Sequence, residues 1–211
     1  MKLALGILIG ALMSTSAMAA DPMVAAPYDW TGVYIGAQVG ADWLHPNPPL
    51  VNDVQPNAAG FAGGIDAQAL WQSGNFVFGG VVDANIASTN ASAPCANAAF
   101  TCADGSNFNA SVRAKLGFAA DRALFYGTGG WGWADYHGST NNGTNFPASK
   151  GLNGWVLGAG MAFAINDKWS VGAEYLHYDL GSANLTTMVY DANYGVKPTL
   201  DTVMLNLSYK F

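Results

Sequence analysis

Apolar and polar residues alternate along most of this chain, and that alternation constrains its fold more than any other feature. In the first such segment, which starts at Trp30, the odd-numbered residues from Val33 to Trp43 are valine, isoleucine, alanine or tryptophan. The even-numbered residues from Gly32 to Asp42 are glycine, tyrosine, glutamine or aspartate. Because successive side chains of a β-strand point to opposite sides, the two sets lie on opposite faces of a sheet. The pattern therefore predicts a strand with one apolar and one polar face.

Seven further segments are predicted to be strands. They begin near Gly64, Phe76, Phe108, Leu124, Gly154, Val171 and Val203. The fifth strand of the chain, Leu124 to Tyr136, is rich in glycine and aromatic residues, and its inward and outward parity stays open. An even number of alternating segments is typical of single-chain bacterial barrels. The predicted fold class is all-β, an eight-stranded antiparallel up-and-down transmembrane β-barrel.

The composition favours a membrane barrel over a soluble one. Hydrophobic residues make up 51% of the chain and charged residues only 10%, whereas ordinary globular domains carry about 25% charged residues. No segment after Ala20 holds the roughly 18 consecutive apolar residues that a spanning helix needs. A soluble sandwich or a lipocalin-like barrel also alternates, but it places polar residues outside. Here the charges fall on the parity that is rich in glycine and alanine, which has to point into a narrow lumen.

The N-terminus carries the pattern of a secretory signal. Lys2 precedes an uncharged apolar stretch from Leu3 to Met13, and small residues stand at Ala17 and Ala19. This arrangement predicts export with cleavage after Ala19, and the apolar stretch is too short for a membrane-spanning anchor. The predicted organisation is a signal peptide at 1–19, a short periplasmic segment at 20–29 and a barrel domain at 30–211.

The mature chain is acidic, and its connections alternate in length. Without Lys2 it has seven basic and fourteen acidic residues, which argues against a nucleic-acid partner. Tight turns are predicted at 72–75, 120–122 and 166–168, and long polar linkers at 44–58, 88–107, 137–150 and 181–199. Short periplasmic turns and long outer loops are typical of outer-membrane barrels, so both termini are expected in the periplasm.

Several short motifs resemble one family in their order along the chain. They are Trp30-Thr31-Gly32-Val33-Tyr34-Ile35-Gly36, Phe76-Val77-Phe78-Gly79-Gly80, Val112-Arg113-Ala114-Lys115-Leu116-Gly117, Tyr126-Gly127-Thr128-Gly129-Gly130 and Glu174-Tyr175-Leu176-His177-Tyr178-Asp179-Leu180-Gly181. In these motifs and in its final Phe211 the chain resembles the small outer-membrane β-barrel proteins of alphaproteobacteria, the surface-antigen or outer membrane immunogenic protein family, which includes porin-like members.

This resemblance implies a place in the outer membrane of a Gram-negative bacterium, among membrane lipid and lipopolysaccharide. It also implies that Phe211, supported by Tyr209 and Leu207, is similar to the signal that the barrel-assembly machinery reads, with periplasmic chaperones as further partners during biogenesis. A monomer is the favoured oligomeric state. The linkers match no motif of known function.

The two cysteines, Cys95 and Cys102, both lie in the second long linker. Exported proteins mature in an oxidising compartment, so the pair is predicted to form a disulfide that pins the linker. With no histidine close by in sequence, a metal site there is disfavoured.

Five charged residues are predicted to share the lumen. They are Asp66, Asp83, Arg113, Lys115 and Glu174. The interior of an eight-stranded barrel is only just wide enough for side chains, so these charges are expected to pair with one another as a plug. A thin ion or proton path between them is the alternative.

Catalysis and cofactor binding find little support in the sequence. The chain has three histidines, His45, His137 and His177. His45 and His137 are predicted to lie in or beside linkers as solvated side chains. Some eight-stranded outer-membrane enzymes use a lipid-facing His-Ser-Glu set, but no serine adjoins His177. The sequence therefore predicts no enzyme, no cofactor and no metal. The favoured function is a structural, surface-exposed protein of the envelope, and the alternative is a narrow porin-like channel or a protein whose loops capture a ligand such as haem.

Overall fold

The computed structural model describes residues 28–47, 56–95, 99–141, 143–187 and 190–211, with only the backbone for 145, 146, 148, 183–187 and 190–196. The predicted signal peptide at 1–19 and most of the segment at 20–29 lie outside the described residues. Within them there is no helix of the length and apolar character that crossing a membrane requires. The strands are β1 (Gly32–His45), β2 (Ala58–Ser73), β3 (Phe76–Pro94), β4 (Thr101–Ala120), β5 (Ala123–Asn141), β6 (Asn145–Ala164), β7 (Trp169–Asp179), β8 (Ala183–Thr187), β9 (Tyr190–Val196) and β10 (Thr199–Lys210).

Eight of these strands close into a barrel, which confirms the predicted fold class. The order around the ring is β1-β10-β7-β6-β5-β4-β3-β2, and β8 and β9 form a separate two-stranded sheet. All neighbours in the ring run antiparallel, and the final strand closes the barrel against the first, with Val39 opposite Leu205. We call the end with the tight turns the turn end, and the opposite end the loop end.

The register fixes the tilt of the strands. Paired residues can be followed from strand to strand around the ring, from Trp43 on β1 through Asp201 and His177 and back to β1 at Val33. The ring therefore closes with a stagger of ten residues along β1. Such a stagger, at about 3.3 Å per residue around eight strands about 4.8 Å apart, corresponds to a tilt of about 40°. This geometry leaves an interior that side chains can fill.

The predicted sorting of side chains is confirmed in the strands for which it was made. Ile65 is 65% exposed on the outer wall, whereas its neighbour Asp66 is 4% exposed inside. The structure also settles the fifth strand, where Phe125 points outward and Tyr126 inward. Its parity is hard to read from the sequence because Gly127, Gly129, Gly130 and Gly132 occupy both faces.

Two of the four predicted linkers are mostly strand. β3 continues to Pro94 and β4 begins at Thr101, while β5 continues to Asn141 and β6 begins at Asn145. These segments lie beyond the part of the strands that carries the alternating apolar residues, and their sequences show no regular alternation. The register shifts between Ile86 and Thr89 mark where β3 leaves the alternating part. The last predicted linker contains the β8-β9 hairpin.

Candidate functional site

The lumen of the barrel is divided into three layers. At the turn end lies an apolar lower cluster, formed by Tyr28, Trp30, Tyr34, Leu70, Val77, Ala119, Leu124, Tyr126 and Ala164. At the loop end lies an apolar upper cluster, formed by Leu44, Ala58, Ala134, Tyr136, Leu152, Val156, Leu176, Tyr178, Leu180 and Leu200. Polar side chains fill the space between the two clusters. The interior is therefore a packed core with a polar middle layer.

Arg113 is the centre of the polar layer. Its Nη2 lies 2.7 Å from Asp83 Oδ1 on the neighbouring strand, and its Nη1 lies 2.9 Å from Glu174 Oε1 on β7. Its Nε also donates a hydrogen bond of 2.8 Å to Ser111 Oγ. The Arg113 side chain is only 1% exposed. A charge this deeply buried persists only when it is paired, and two carboxylates contact this guanidinium.

Lys115 and Asp66 are joined through a glutamine. Lys115 Nζ donates to Gln68 Oε1 at 2.8 Å, and Gln68 Nε2 donates to Asp66 Oδ2 at 2.7 Å. Lys115 Nζ also lies 3.9 Å from the centre of the Tyr126 ring, within the range of a cation–π contact. All five predicted lumen residues therefore lie in one layer, in two groups: Arg113 with Asp83 and Glu174, and Lys115 with Asp66.

A chain of amides extends the layer toward the loop end. Asn85 Nδ2 donates to Asp83 Oδ2 at 3.2 Å and to Asn109 Oδ1 at 2.9 Å. Asn109 Nδ2 in turn donates to Asp42 Oδ2 at 3.0 Å, and Gln38 Nε2 donates to Asn85 Oδ1 at 2.7 Å. Gln38, Asp42, Asn85 and Asn109 lie on the polar parity of their strands, but they are not among the five predicted lumen charges. Their parity was the signal that could have found them.

Glycines on the inward parity make room for the largest inward side chains. A Cβ on Gly132 would lie 2.5 Å from Tyr178 Cδ1, and a Cβ on Gly160 would lie 2.6 Å from the Tyr126 hydroxyl. These rings fill the bore because the facing residues have no side chain. A cavity between the lower cluster and Lys115 measures about 10 Å³, which is room for one water molecule at most.

The residues just before β1 seal the turn end. Trp30 N–H donates to Gln72 Oε1 at 2.8 Å, and the Tyr34 hydroxyl donates to the Trp30 carbonyl at 2.8 Å. Thr31 N–H donates to Asp29 Oδ1 at 2.8 Å. Hydrogen bonds from Thr31 hold the pKa of the Asp29 carboxyl below its usual value. Tyr28 packs edge-on against Trp30 and is buried, so it belongs to the lower cluster.

The cysteine pair forms a disulfide between the ends of two strands. Cys95 follows the last residue of β3, and Cys102 is the second residue of β4, with their Cα atoms 5.2 Å apart. Cys95 N–H also donates to the Phe100 carbonyl at 2.9 Å. The bond therefore joins the loop-end tips of β3 and β4 to each other.

The histidines belong to two separate clusters. His45, the last residue of β1, and His177 in β7 both contact Asp201, whereas His137 in β5 contacts Asn90. His45 and His137 were predicted to lie in or beside linkers. They are strand residues near the loop end, because β1 and β5 run further than predicted. Asp201 lies two residues before the predicted start of the last strand at Val203, although the strand itself begins at Thr199. The described residues contain no group of three or more histidine, cysteine, aspartate or glutamate side chains arranged to hold a metal ion.

The C-terminal residues pack as an aromatic row on the outer wall. The Tyr209 ring lies 5.1 Å from the Phe211 ring and 5.0 Å from the Trp169 ring. Phe211 N–H donates to the Val33 carbonyl at 3.0 Å, which closes the barrel seam at the turn end. Leu207 lies on the same outward face.

A closed eight-stranded barrel with an apolar wall and a polar interior points to one class of protein, and a family comparison agrees. The model of the outer membrane protein beta-barrel domain matches residues 7–211. The chain belongs to this family. The family and the relatives described below place the chain in the outer membrane of Gram-negative bacteria.

Two curated relatives of this family member cover nearly the whole chain. They are the 31 kDa outer-membrane immunogenic proteins of Brucella melitensis biotype 1 and Brucella suis biovar 1. Each is 34% identical over 236 residues, which cover 96% of this chain and 97% of the relative. The predicted resemblance to an alphaproteobacterial surface-antigen family is confirmed.

Solved structures share the fold at low sequence identity. The attachment invasion locus protein Ail of Yersinia pestis matches with a TM-score of 0.52 and 17% identity, over 86% of this chain and 99% of that chain. Neisserial surface protein A matches with a TM-score of 0.53 and 14% identity, over 86% of this chain and 98% of that chain. At these identities the likeness concerns the fold alone.

Proposed function

We propose that this outer-membrane barrel is a structural, surface-exposed protein of the envelope whose lumen is closed, and that it is not an enzyme. The observation that carries the proposal is the layer around Arg113, Asp83 and Glu174, enclosed between the two apolar clusters. An ion crossing the barrel would have to pass both apolar layers without its hydration shell, which is costly. The polar layer is accordingly a plug that satisfies its own charges.

The part of β3, β4, β5 and β6 that continues beyond the apolar band, here called the β3-β6 extension, supports the surface role. These strands have 19 or 20 residues each, whereas β7 has 11 and β10 has 12. The extra length lies at the loop end, which faces outward in bacterial barrels. It carries asparagine, serine and threonine, and the disulfide clamps one of its tips. A rigid polar extension of this kind suits an exposed antigen, and the Brucella relatives are named for their immunogenicity.

A catalytic role lacks a nucleophile. His177 Nδ1 lies 2.7 Å from Asp201 Oδ1, the spacing of a histidine held by a carboxylate. Among the described residues, however, no serine, threonine or cysteine side chain contacts His177. Haem capture by His45 and His137 together is also disfavoured, because the two side chains belong to different clusters.

The proposed partners follow from the location. Phe211, Tyr209 and Leu207 would present the terminal strand to the barrel-assembly machinery, after periplasmic chaperones have delivered the chain. Once inserted, the outer wall would meet membrane lipid and lipopolysaccharide as a monomer, because the ring closes within one chain and leaves its own seam paired.

Planar-bilayer conductance tests the closed lumen. The refolded mature protein should give no steady current steps, because the side chains fill the bore. A variant with Arg113→Ala, Tyr178→Ala and Tyr126→Ala lacks one large side chain in each of the three layers. It should give small current steps in the same bilayer, which would show that insertion is detectable. Regular ohmic steps from the unaltered protein would contradict the proposal and favour a narrow porin-like channel.

A further inference from the structure

On its outer wall the barrel carries a polar cluster in a place where lipid-facing side chains are otherwise apolar. Asp201 lies on the outward parity of β10, paired in register with Trp43 on one side and His177 on the other. The next outward residue toward the turn end is Val203, which begins an apolar run to Phe211. A carboxylate at this edge of the wall is costly unless neighbouring groups donate to it.

Three donors converge on Asp201. The Tyr175 hydroxyl donates to Oδ1 at 2.5 Å, and His177 Nδ1 lies 2.7 Å from the same oxygen. His45 Nδ1 lies 3.5 Å from Oδ2. Both imidazole rings therefore use Nδ1 toward the carboxylate, and each keeps Nε2 for another partner. Within the part of the chain that the structure describes, neither Nε2 has a hydrogen-bond partner.

Two tryptophans flank the cluster. Trp43 lies beside Asp201 on β1, and the Trp155 ring on β6 lies 5.6 Å from the His177 ring. Both indoles are more than a third exposed. The strands β1 and β6 are separated by β10 and β7, which is about 14 Å at the usual strand spacing. The cluster is thus a shallow polar patch of about that width, with an exposed indole at either end.

The height of the patch places it among lipid headgroups. The ten steps along β10 from Asp201 to Phe211 rise about 25 Å at a tilt of about 40°. This rise matches the apolar band of outer-membrane barrels, roughly 25 Å tall. Asp201 and His177 therefore lie at the boundary of the outer leaflet, on the side of the loop end.

We propose that this patch, made of His45, Asp201, Tyr175 and His177 between Trp43 and Trp155, binds the saccharide headgroup of an outer-leaflet glycolipid. Sugar hydroxyls both donate and accept hydrogen bonds, and imidazole Nε2, a tyrosine hydroxyl and a carboxylate oxygen offer both roles within one patch. The indoles offer apolar faces for the sugar rings and sit at the interface depth that tryptophan prefers. A phospholipid such as phosphatidylethanolamine can pair with some of these groups through its ammonium and phosphate, but it has no sugar ring to lie against the two indoles.

The exposure of the patch agrees with a ligand of this kind. The side chains of His45 and His177 are 37% and 34% exposed, and that of Asp201 is 22% exposed. The polar groups are thus reachable from the membrane side, in contrast to the carboxylates of the lumen. The inference rests on the proposed contact of the outer wall with lipopolysaccharide and names the site for it, and it does not require the lumen to be closed.

The test measures which lipid the refolded full mature protein retains. Native mass spectrometry from detergent micelles doped with equal amounts of lipid A and phosphatidylethanolamine should show one bound lipid per protein, with lipid A retained in preference to phosphatidylethanolamine. The double variant His177→Gln and Asp201→Asn should lose at least tenfold in lipid A affinity. His137→Gln, a histidine on β5 outside the patch, is the matched control and should bind as the unaltered protein does.

A competition experiment separates the headgroup from the acyl chains. The deacylated glucosamine disaccharide headgroup of lipid A should displace the intact lipid from the unaltered protein. Heat-dependent migration on gels, with folded and unfolded forms separated, verifies that the variants are folded. Equal retention of phosphatidylethanolamine, unchanged lipid A affinity in the folded double variant, or no displacement by the headgroup would each overturn the proposal.

Discussion

Arg113 and Glu174 meet across the lumen with 2.9 Å between Nη1 and Oε1, and this contact joins two strands that are not neighbours in the ring. β4 carries the guanidinium and β7 the carboxylate, with β5 and β6 between them along the wall. The pair therefore ties opposite parts of the barrel through its interior. The energetic importance of this contact follows from burial, because neither charge can be hydrated once the barrel is closed.

Arg113→Ala should destabilise the barrel by about 3–5 kcal/mol, because it leaves Asp83 and Glu174 as unpaired buried charges. Urea unfolding in detergent micelles measures the change. Arg122→Ala is the control, since Arg122 pairs at 3.6 Å with an Asp167 that is 93% exposed, and its loss should cost less than about 1 kcal/mol. Adding Asp83→Asn and Glu174→Gln to Arg113→Ala should recover part of the stability. Equal losses at Arg113 and Arg122 would show that the lumen pair is not buried as described.

Gly132→Ala should also weaken the barrel, by about 1–3 kcal/mol, because the new methyl group would lie 2.5 Å from the ring of the fully buried Tyr178. The midpoint of urea unfolding reports the effect. Gly151→Ala on β6 is the matched control, since a Cβ there meets nothing within 4 Å. Combining Gly132→Ala with Tyr178→Leu should restore stability in part. A Gly132→Ala protein as stable as the Gly151→Ala protein would contradict the close packing of the upper cluster.

The disulfide should stabilise the loop-end tips of β3 and β4 without affecting the rest of the barrel. Cys95 and Cys102 are separated by seven positions, and closing so short a loop is worth about 2 kcal/mol in the chain-entropy model. The double variant Cys95→Ser and Cys102→Ser should be cut by protease between positions 95 and 102 faster than the unaltered protein, with an unchanged barrel core. Adding a reductant should speed cleavage of the unaltered protein and leave that of the variant as it was. A loss of heat-dependent migration in the variant would show that the bond supports the whole barrel instead.

Phe211→Ala should slow assembly in liposomes that contain the barrel-assembly machinery, because the terminal aromatic residue is proposed as part of the assembly signal. Spontaneous refolding in detergent should change much less. Phe61→Ala is the matched control, as Phe61 is 82% exposed on the outer wall and Phe211 is 73% exposed. If both variants assemble at the same reduced rate, lost apolar surface explains the effect and Phe211 has no special role.

The barrel could be predicted from the sequence because the apolar wall imposes a period of two wherever it contacts lipid. Ile65 and Asp66 show this most simply, with adjacent residues on opposite faces of one strand. The same period placed Arg113, Asp83 and Glu174 inside. It could not say which charges pair, because pairing across the lumen depends on register and tilt rather than on positions along one strand.

The parts that escaped prediction lie where the period of two fails. Beyond the apolar band, the first residues of β4 and β6, from Thr101 and from Asn145, show no regular apolar-polar alternation, so the sequence suggested linkers there. Asp201 was missed for the same reason, since it stands where the apolar run of β10 ends. Its contacts with His45 and His177 join three strands and appear only when the barrel is closed.

Oxygen accessibility of nitroxide labels along β10 tests the central claim, which is the sorting of side chains between membrane and lumen. Labels placed one at a time at positions 203 to 208 of the protein in lipid vesicles should alternate. Those replacing Val203, Leu205 and Leu207 should collide with dissolved oxygen as lipid-exposed sites do, and those replacing Met204, Asn206 and Ser208 should be shielded and immobile. Accessibility without a period of two, or the highest accessibility to a water-soluble nickel reagent at Leu205 and Leu207, would contradict this description of the barrel.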